Sequence, residues 1–305
     1  AQLNAFSPDY RAAAKNTLLD IASQCDGVRC DMAMLMVNGV FANTWGKYLV
    51  HPAPPQKEFW QEIIPAVKSR YHDFKFIAEV YWNMEYELLQ HGFDYTYDKT
   101  LYDRILQGDV THLRDHLLAP LSYQSRQVRF IENHDEPRAM SSLGMEKSRP
   151  AATLICTLPG AVLLHAGQFE GRTIKLPVQI NRQPHETPNK PLQKFYRRLL
   201  AETRDPIYQN GTWRLLDMLP AGEKHHTHHH LLAYGWKNGD HFRLIVVNMT
   251  HLWSQGVIRL GDWYNIFQDR WVLHDALTNA YRFHFQDDDA LVDEGLYVEL
   301  EPFQS

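Results

Sequence analysis

The sequence has little cysteine and no long apolar run. Its three cysteines, Cys25, Cys30 and Cys156, show no metal-type spacing, and an odd number argues against a disulfide framework. On a strand, the odd separation of Cys25 and Cys30 would place them on opposite faces, so we expect reduced, buried thiols, which slightly favours the cytoplasm. No segment approaches the roughly 20 apolar residues that a membrane span requires, so we expect a soluble protein without a membrane partner.

An excess of basic residues is also absent. The chain has 31 lysines and arginines against 36 aspartates and glutamates, for a formal net charge of −5. No basic stripe occurs, which argues against a nucleic-acid partner. The opening stretch AQLNAFSPDY lacks the basic and apolar regions of a signal peptide, but it begins without methionine inside the approach to a helix. We therefore expect that a segment upstream of Ala1 is missing, together with any targeting signal in it.

Helices and strands alternate through the first two thirds of the chain. Ser7 and Pro8 are typical of a helix start, and apolar residues then recur at helical spacing to about residue 24. Five runs predict strands, at residues 26–33, 75–82, 92–98, 128–135 and 160–167, and helical segments separate them. This alternation predicts βα units with a parallel sheet, which is an α/β fold.

The pattern changes near residue 210. Short alternating runs follow, separated by turn signals such as NG: WRLLDML, HLLAYGW, FRLIVVNM, GVIRL, RWVLHDA and LYVEL. These runs predict antiparallel strands. We therefore divide the chain into an α/β portion at residues 1–207 and an all-β C-terminal domain at residues 208–305.

Three acidic residues lie near predicted strand ends, where barrels and open α/β sheets carry their sites. Asp31 closes the first strand, Glu79 lies late in the second and Asp135 closes the fourth. Arg29 shares a face with Asp31 and would lower the pKa of that carboxyl, whereas apolar neighbours would raise the pKa of Glu79. One ionised and one protonated carboxyl, about 5 Å apart, suit retaining glycoside hydrolysis. Strand-end acids are also common as structural residues.

A metal-dependent barrel hydrolase is the alternative enzyme. Its candidate ligands would be Glu132, His134, Asp135, Glu136, His165 and Glu170. No H-x-H or H-E-x-x-H ligand spacing accompanies them, which argues against this alternative. The run HHTHHH at residues 225–230 is interpreted as a surface loop between turn signals. Arg138 and Glu170 would be either substrate-site residues or salt-bridge partners.

Several motifs together resemble glycoside hydrolase family 13, the α-amylase family. DGVRCDMAM, FIAEVYW and FIENHDEPR are similar, in this order, to the second, third and fourth conserved regions of that family. GFDYTYDKTLYDRI is similar to its sixth barrel strand, and LPGAVLLHAGQFEGR to its eighth. The resemblance covers most of residues 1–200. It implies a partial (β/α)8 barrel, containing strands four to eight of the family barrel, before the all-β domain.

The resemblance implies a role for each matching residue. Asp31 takes the position of the catalytic nucleophile, Glu79 that of the general acid/base, and Asp135 that of the aspartate that stabilises the transition state. Arg29 would support the nucleophile and His134 would hydrogen-bond the sugar. No matching residue is a metal ligand.

The implied activity is that of an α-amylase-like retaining hydrolase. Its substrates would be α-1,4-glucans such as starch, glycogen and maltooligosaccharides, cleaved through a glycosyl-enzyme intermediate. Tyr81 and Trp82, which follow Glu79, would stack on neighbouring sugar rings. A transglycosylase of the same family would use every one of these residues, so hydrolysis and transfer both stay open.

The sequence also departs from the family pattern. It lacks the first conserved region, and a full barrel takes about 250 residues. After Asp31 the chain reads Met-Ala-Met, where many amylases place a Lys-His pair that contacts sugar and calcium. Full-length members of the family would therefore bind calcium, but its ligands are not evident in this sequence. No other cofactor is implied. The missing N-terminal segment would be a partner. A hypothesis of another class is that the chain without it is inactive and at most binds glucan.

Overall fold

A computed structural model of the protein describes residues 2–50, 53–180, 182–223, 226–261, 263, 272–278, 280–284 and 295–305. By its internal packing the chain divides into two compact units. Unit 1 is Ala1–Thr100 with Ser125–Val128, and unit 2 is Leu101–Gln124 with Arg129–Ser305. Each unit has its own hydrophobic core. The division predicted after residue 207 stays a prediction.

The helices and strands follow the predicted order. The helices are α1 (Pro8–Ala22), α2 (Asn38–Trp45), α3 (Phe59–Lys68), α4 (Glu85–Gln90), α5 (Lys99–Gln107), α6 (Val110–Leu117), α7 (Leu121–Gln124), α8 (Ala139–Ser142), α9 (Gly144–Thr157), α10 (Lys190–Glu202) and α11 (Ile207–Asn210). The strands are β1 (Gly27–Cys30), β2 (Lys75–Ala78), β3 (Tyr95–Tyr97), β4 (Gln127–Arg129), β5 (Ala161–Val162), β6 (Thr212–Leu219), β7 (Leu231–Asn238), β8 (His241–Asn248), β9 (Ser254–Arg259), β10 (Val272–Asp275), β11 (Ala280–His284) and β12 (Leu296–Leu300).

Unit 1 contains a parallel sheet with its helices. Strands β1, β2, β3 and β4 are paired in chain order, and each pair is parallel. Gly27 allows the close approach of β1 and β2, because a Cβ atom there would lie 2.8 Å from the carbonyl oxygen of Lys75. Helix α3 buries Ile63 and Val67 in the same core as Phe76 of β2. The predicted α/β architecture is therefore confirmed.

The strands end earlier than their hydrophobic runs predict. Strand β2 ends at Ala78, so Glu79 lies just past it rather than late in it. Strand β4 ends at Arg129, which places Asp135 in the following loop. There the side-chain Oδ1 of Asn133 accepts hydrogen bonds from the backbone N–H groups of Asp135 and Glu136, at 2.8 and 2.9 Å. This turn bends the backbone, so the prediction that Asp135 closes the fourth strand is wrong.

Unit 2 continues the βα pattern beyond β4. The N–H of Leu163, next to β5, donates to the carbonyl oxygen of Arg129 at 2.9 Å. Helices α5, α6, α9 and α10 pack around one core, to which Leu154 and Leu199 contribute. Strands β7 and β8 bury residues such as Tyr234 and Val247 in that core too. Helices and antiparallel strands of unit 2 are therefore joined by shared apolar packing.

Antiparallel strands form the C-terminal part of unit 2, as predicted. Five of them lie in the order β12-β9-β6-β7-β8, and β10 pairs with β11. Strand β6 joins the two halves of the larger sheet, pairing first with β7 and then with β9. The indole Nε1 of Trp236 in β7 donates to the carbonyl oxygen of Thr157 at 2.7 Å, which ties this sheet to α9.

The cysteines differ in their surroundings. All three are free thiols, and Cys30 and Cys156 are buried as expected. Burial raises the pKa of each of these two thiols to about 12. Cys25 is exposed, so the expectation of three buried thiols is wrong for this residue. It lies in the exposed segment that connects α1 to β1. Within the described ranges, no helix is long and apolar enough to cross a membrane.

Candidate active site

An arginine holds two carboxylates in unit 1. Arg29, in β1, donates from Nη1 to Oδ1 of Asp31 at 2.6 Å. Its Nη2 lies 2.9 Å from Oε1 of Glu79, which follows the neighbouring strand β2. Because one guanidinium contacts both carboxylates, the two acids lie on adjoining sides of the same cation. The contact between Arg29 and Asp31 is the one that strand periodicity predicts, whereas the contact with Glu79 needs the pairing of β1 with β2.

Glu79 is held by several donors. The hydroxyl of Tyr81 donates to its Oε1 at 3.1 Å, and the backbone N–H of Met32 donates to its Oε2 at 2.7 Å. Its own backbone N–H donates to the carbonyl oxygen of Cys30 at 3.0 Å. The sequence predicts only the apolar neighbours of Glu79. It misses this ring of polar groups, because Arg29 and Met32 belong to another strand and its following turn.

The two acids differ sharply in exposure. The side chain of Asp31 is 77% exposed, and that of Glu79 is 4% exposed. Burial lowers the pKa of Arg29, but the hydrogen bond to Asp31 and the charge of Glu79 outweigh it, so the pKa is raised. Arg29 therefore stays charged and fixes both carboxylates. An accessible carboxylate next to a buried one suits two different chemical tasks.

The backbone is left-handed one residue after Asp31 and again three and four residues after Glu79. Met32, which follows Asp31, has a φ of 45°, and its N–H is the one that donates to Glu79. Trp82 and Asn83 have φ values of 64° and 58°. Residues other than glycine rarely adopt positive φ values. Those that do are concentrated at functional sites. The turn leaves Trp82 61% exposed while Tyr81 stays on Glu79, so only Trp82 presents an open ring.

His134 and Asp135 form a pair in unit 2. Nε2 of His134 lies 2.9 Å from Oδ2 of Asp135, and both side chains are partly exposed. The loop that carries them is fixed by the Asn133 turn and by Lys175, whose Nζ donates to the carbonyl oxygen of Asp135. Both side chains can therefore offer polar atoms to a ligand. Their roles, like those of the residues in unit 1, stay predictions.

Arg138 is a buried ion-pair residue. Its Nη1 donates to Oε1 of Glu132 at 2.6 Å, and Oε2 of Glu132 accepts the backbone N–H of Ala139 at 2.8 Å. Both side chains are almost fully buried. The two alternatives for Arg138 are thus decided in favour of a salt bridge. The chain bends at Asn133, between Glu132 and Arg138, and this bend allows the two side chains to meet. Strand periodicity does not predict the contact, because it assumes that the strand continues through these residues.

No metal cluster forms among the residues that the structure describes. In these ranges, no three histidine, cysteine, aspartate or glutamate side chains are grouped to hold a metal ion. Glu132, a candidate ligand in the alternative hydrolase, is occupied by Arg138. Thr227–His230, within the histidine run, form a 3-10 turn, and His225 lies outside the described residues.

The chain is similar to known proteins in sequence and in structure. No protein-family model matches it. Over 167 residues it is 32% identical to "Alpha-amylase MalA" from Haloarcula japonica, a match that covers 51% of this chain and 22% of that protein. The chain therefore spans about a fifth of the length of this relative.

Solved structures resemble the fold over nearly the whole chain. An α-amylase from Anoxybacillus has a TM-score of 0.69 at 17% identity, covering 99% of this chain and 63% of that one. A debranching enzyme from Nostoc punctiforme has a TM-score of 0.68 at 17% identity, covering 99% and 61%. At such identity these likenesses show the fold alone. They confirm a parallel βα array of barrel type followed by an antiparallel β domain.

Proposed function

We propose, from the premise that this chain is a member of glycoside hydrolase family 13, that it is an α-amylase-like retaining hydrolase of α-1,4-glucans. The ordered motifs and the similarity to an α-amylase support the premise. The observation that carries the proposal is the contact of Arg29 with both Asp31 and Glu79. It brings together an exposed and a buried carboxylate, the pair of groups that a retaining mechanism uses.

The proposed reaction has two steps. First, a carboxylate oxygen of Asp31 forms a bond to the anomeric carbon, while Glu79 gives its proton to the departing glycosidic oxygen. The shortened glucan leaves, and the remaining sugar is bound to Asp31 as an ester. Glu79, now a carboxylate, then takes a proton from water, whose oxygen attacks the anomeric carbon and releases Asp31. The configuration at that carbon is inverted twice and so retained.

The surroundings of the two acids suit these tasks. Asp31 is accessible to a sugar ring, and its hydrogen bond from Arg29 keeps it oriented. Glu79 is fixed by Tyr81 and by the N–H of Met32, so its proton would be delivered from one position. The resemblance assigns Asp135 to the sugar hydroxyls, whose hydrogen bonds strengthen as the ring flattens towards the transition state.

Aromatic and polar side chains would bind the glucan. The exposed indole of Trp82 offers a flat apolar face on which a sugar ring can stack. His134 and Asp135 offer hydrogen-bonding atoms. The substrate is proposed as starch, glycogen or a maltooligosaccharide. Transglycosylation is the alternative outcome, because a sugar hydroxyl can replace water in the second step.

The test is turnover of a chromogenic maltooligosaccharide by the purified chain without added metal, beside Asp31→Asn and Glu79→Gln. Glu87→Gln, which changes an exposed glutamate of α4, is the matched control. Hydrolysis that both site variants abolish and the control retains would support the proposal. Longer oligosaccharide products would indicate transfer instead. A folded chain that gives neither product would overturn the proposed activity of this chain.

A further inference from the structure

Glu132, Arg138 and His165 form a polar cluster in unit 2. Arg138 Nη1 lies 2.6 Å from Glu132 Oε1 and 2.7 Å from Nδ1 of His165. The same Nδ1 lies 3.1 Å from Glu132 Oε1, and Arg138 Nη1 also donates to the carbonyl oxygen of Ala166 at 2.8 Å. The side chains of Glu132 and Arg138 are buried, whereas that of His165 is 25% exposed. The histidine is thus the accessible end of a buried network.

The cluster lies at the strand ends that carry His134 and Asp135. The hydrogen bond from Leu163 N–H to Arg129 carbonyl oxygen pairs the end of β4 with the segment after β5. Glu132 and His134 follow β4, and His165 follows β5, so both segments leave the sheet at the same edge. Burial, the charge of Arg138 and the charge of His134 all lower the pKa of His165.

The ring of His165 is fixed at one edge and open at the other. Nδ1 faces Glu132 and Arg138. The opposite nitrogen, Nε2, has no hydrogen-bond partner among the described residues and is not one of their buried unpartnered atoms. Neutral imidazole has one donor and one acceptor nitrogen, and either can bond a hydroxyl, which both donates and accepts. The open edge therefore suits a sugar hydroxyl in either tautomer.

We propose that His165 is a substrate-binding residue whose Nε2 hydrogen-bonds a hydroxyl of the glucan next to His134 and Asp135. Glu132 and Arg138 are positioning residues that hold the ring. This inference rests on the proposed function, because the ligand is the same α-linked glucan. The network fixes the ring before the sugar arrives, so less side-chain freedom is lost on binding.

The first experiment measures the affinity of the intact chain for maltoheptaose by isothermal titration calorimetry, using the Glu79→Gln background so that the sugar is not consumed. In this background His165→Phe keeps a ring and removes both nitrogens. Loss of one hydrogen bond would raise Kd by about 3- to 10-fold. His251→Phe, at an exposed histidine of the β domain, should leave Kd unchanged. An unchanged Kd in folded His165→Phe would overturn the inference.

A second variant protects the test against misfolding. His165→Gln keeps a hydrogen-bonding end, so its Kd should lie between those of the background protein and His165→Phe. If His165→Phe does not fold, His165→Leu, which also removes both nitrogens, takes its place with the same control. Unchanged affinity of folded His165→Leu would then overturn the inference.

The positioning role has its own readout. Glu132 raises the pKa of His165, while burial, Arg138 and His134 lower it. Glu132→Gln should therefore lower the pKa of His165 further, measured by NMR of the ring nitrogens, and weaken maltoheptaose binding. A titration and a Kd that both stay unchanged would overturn the positioning role.

The two proposals fail in different ways. If the parent hydrolyses the chromogenic substrate and His165→Phe binds maltoheptaose as tightly as its background, only the role of His165 is overturned. If the parent binds without hydrolysis, the activity proposal fails, and the Kd of His165→Phe still decides the role of His165. A parent that neither binds nor hydrolyses overturns both.

Discussion

The ion pairs of Arg29 and of Arg138 use the same chemistry in opposite settings. Arg29 contacts Asp31, whose side chain is 77% exposed, and Arg138 contacts Glu132, whose side chain is 1% exposed. An exposed carboxylate can meet a ligand, and its pair contributes little stability. Glu132 contacts only its own partners, and removal of one of them leaves an uncompensated charge. The exposure of Asp31 therefore fits a candidate reacting group, whereas the contacts of Glu132 with Arg138, Ala139 and His165 fit a group that fixes a loop.

The largest expected effect separates Glu79 from Glu132. Glu79→Gln removes the proposed proton donor and should lower kcat by about 10²- to 10⁴-fold, the usual contribution of general acid–base catalysis. Glu132→Gln should lower kcat far less, because Glu132 is proposed to act through His165. The measurement is steady-state turnover of the chromogenic substrate for both variants. Equal losses of kcat in the two variants would remove the distinction between them.

The next effect concerns stability at the buried pair. Arg138→Met leaves the Glu132 carboxylate buried without its cation and should cost about 3–5 kcal/mol of unfolding free energy, a large share of the total for a domain. Asp31→Asn should change the unfolding free energy by less than about 0.5 kcal/mol, because the side chain is exposed. Urea unfolding followed by circular dichroism measures both.

A double variant serves as the control for the buried pair. Arg138→Met with Glu132→Leu removes both charges and should recover much of the stability that Arg138→Met loses. A double variant as unstable as the single one would show that lost packing, rather than an unpaired charge, causes the effect.

A smaller effect is expected from pH. Burial and the charges of Arg138 and His134 lower the pKa of His165 below its ordinary value of 6.5. The unfolded chain therefore binds this proton first as pH falls through 6.5, and stability decreases below that pH until the folded form is also protonated. His165→Phe should reduce the loss of unfolding free energy between about pH 7.5 and about pH 5.5.

Other histidines also contribute to the pH dependence of the unfolding free energy. Burial also lowers the pKa of His228 and of His230, so they contribute to the parent with the same sign. Only the difference between the pH profiles of His165→Phe and the parent reports on His165. Superimposable profiles would contradict the prediction.

The smallest effect is expected at another exposed carboxylate. Arg114 donates to Asp217 at 2.5 Å, and the aspartate is largely exposed. Asp217→Asn should cost less than about 1 kcal/mol of unfolding free energy despite this short contact, and the cost should shrink with added salt. A loss as large as that of Arg138→Met would show that distance, rather than burial, sets the strength of these pairs.

Much of the fold and part of the site could be predicted from the sequence. Hydrophobic periodicity and turn residues report local backbone structure, which explains the predicted α/β order and the antiparallel strands. The two-residue spacing of Arg29 and Asp31 also predicted their contact. The strand ends at Ala78 and Arg129 were missed, because the hydrophobic runs continue past the last paired residue.

By itself, the sequence determined the order of the motifs, the residue types at the candidate site and the change from βα units to antiparallel strands. Tertiary structure decided which charges meet. The contact of Arg29 with Glu79 needs two paired strands, and the contact of Glu132 with His165 joins residues 33 positions apart. Periodicity assigns a side chain to a face of its own element, whereas its partners and its exposure depend on what packs against that face.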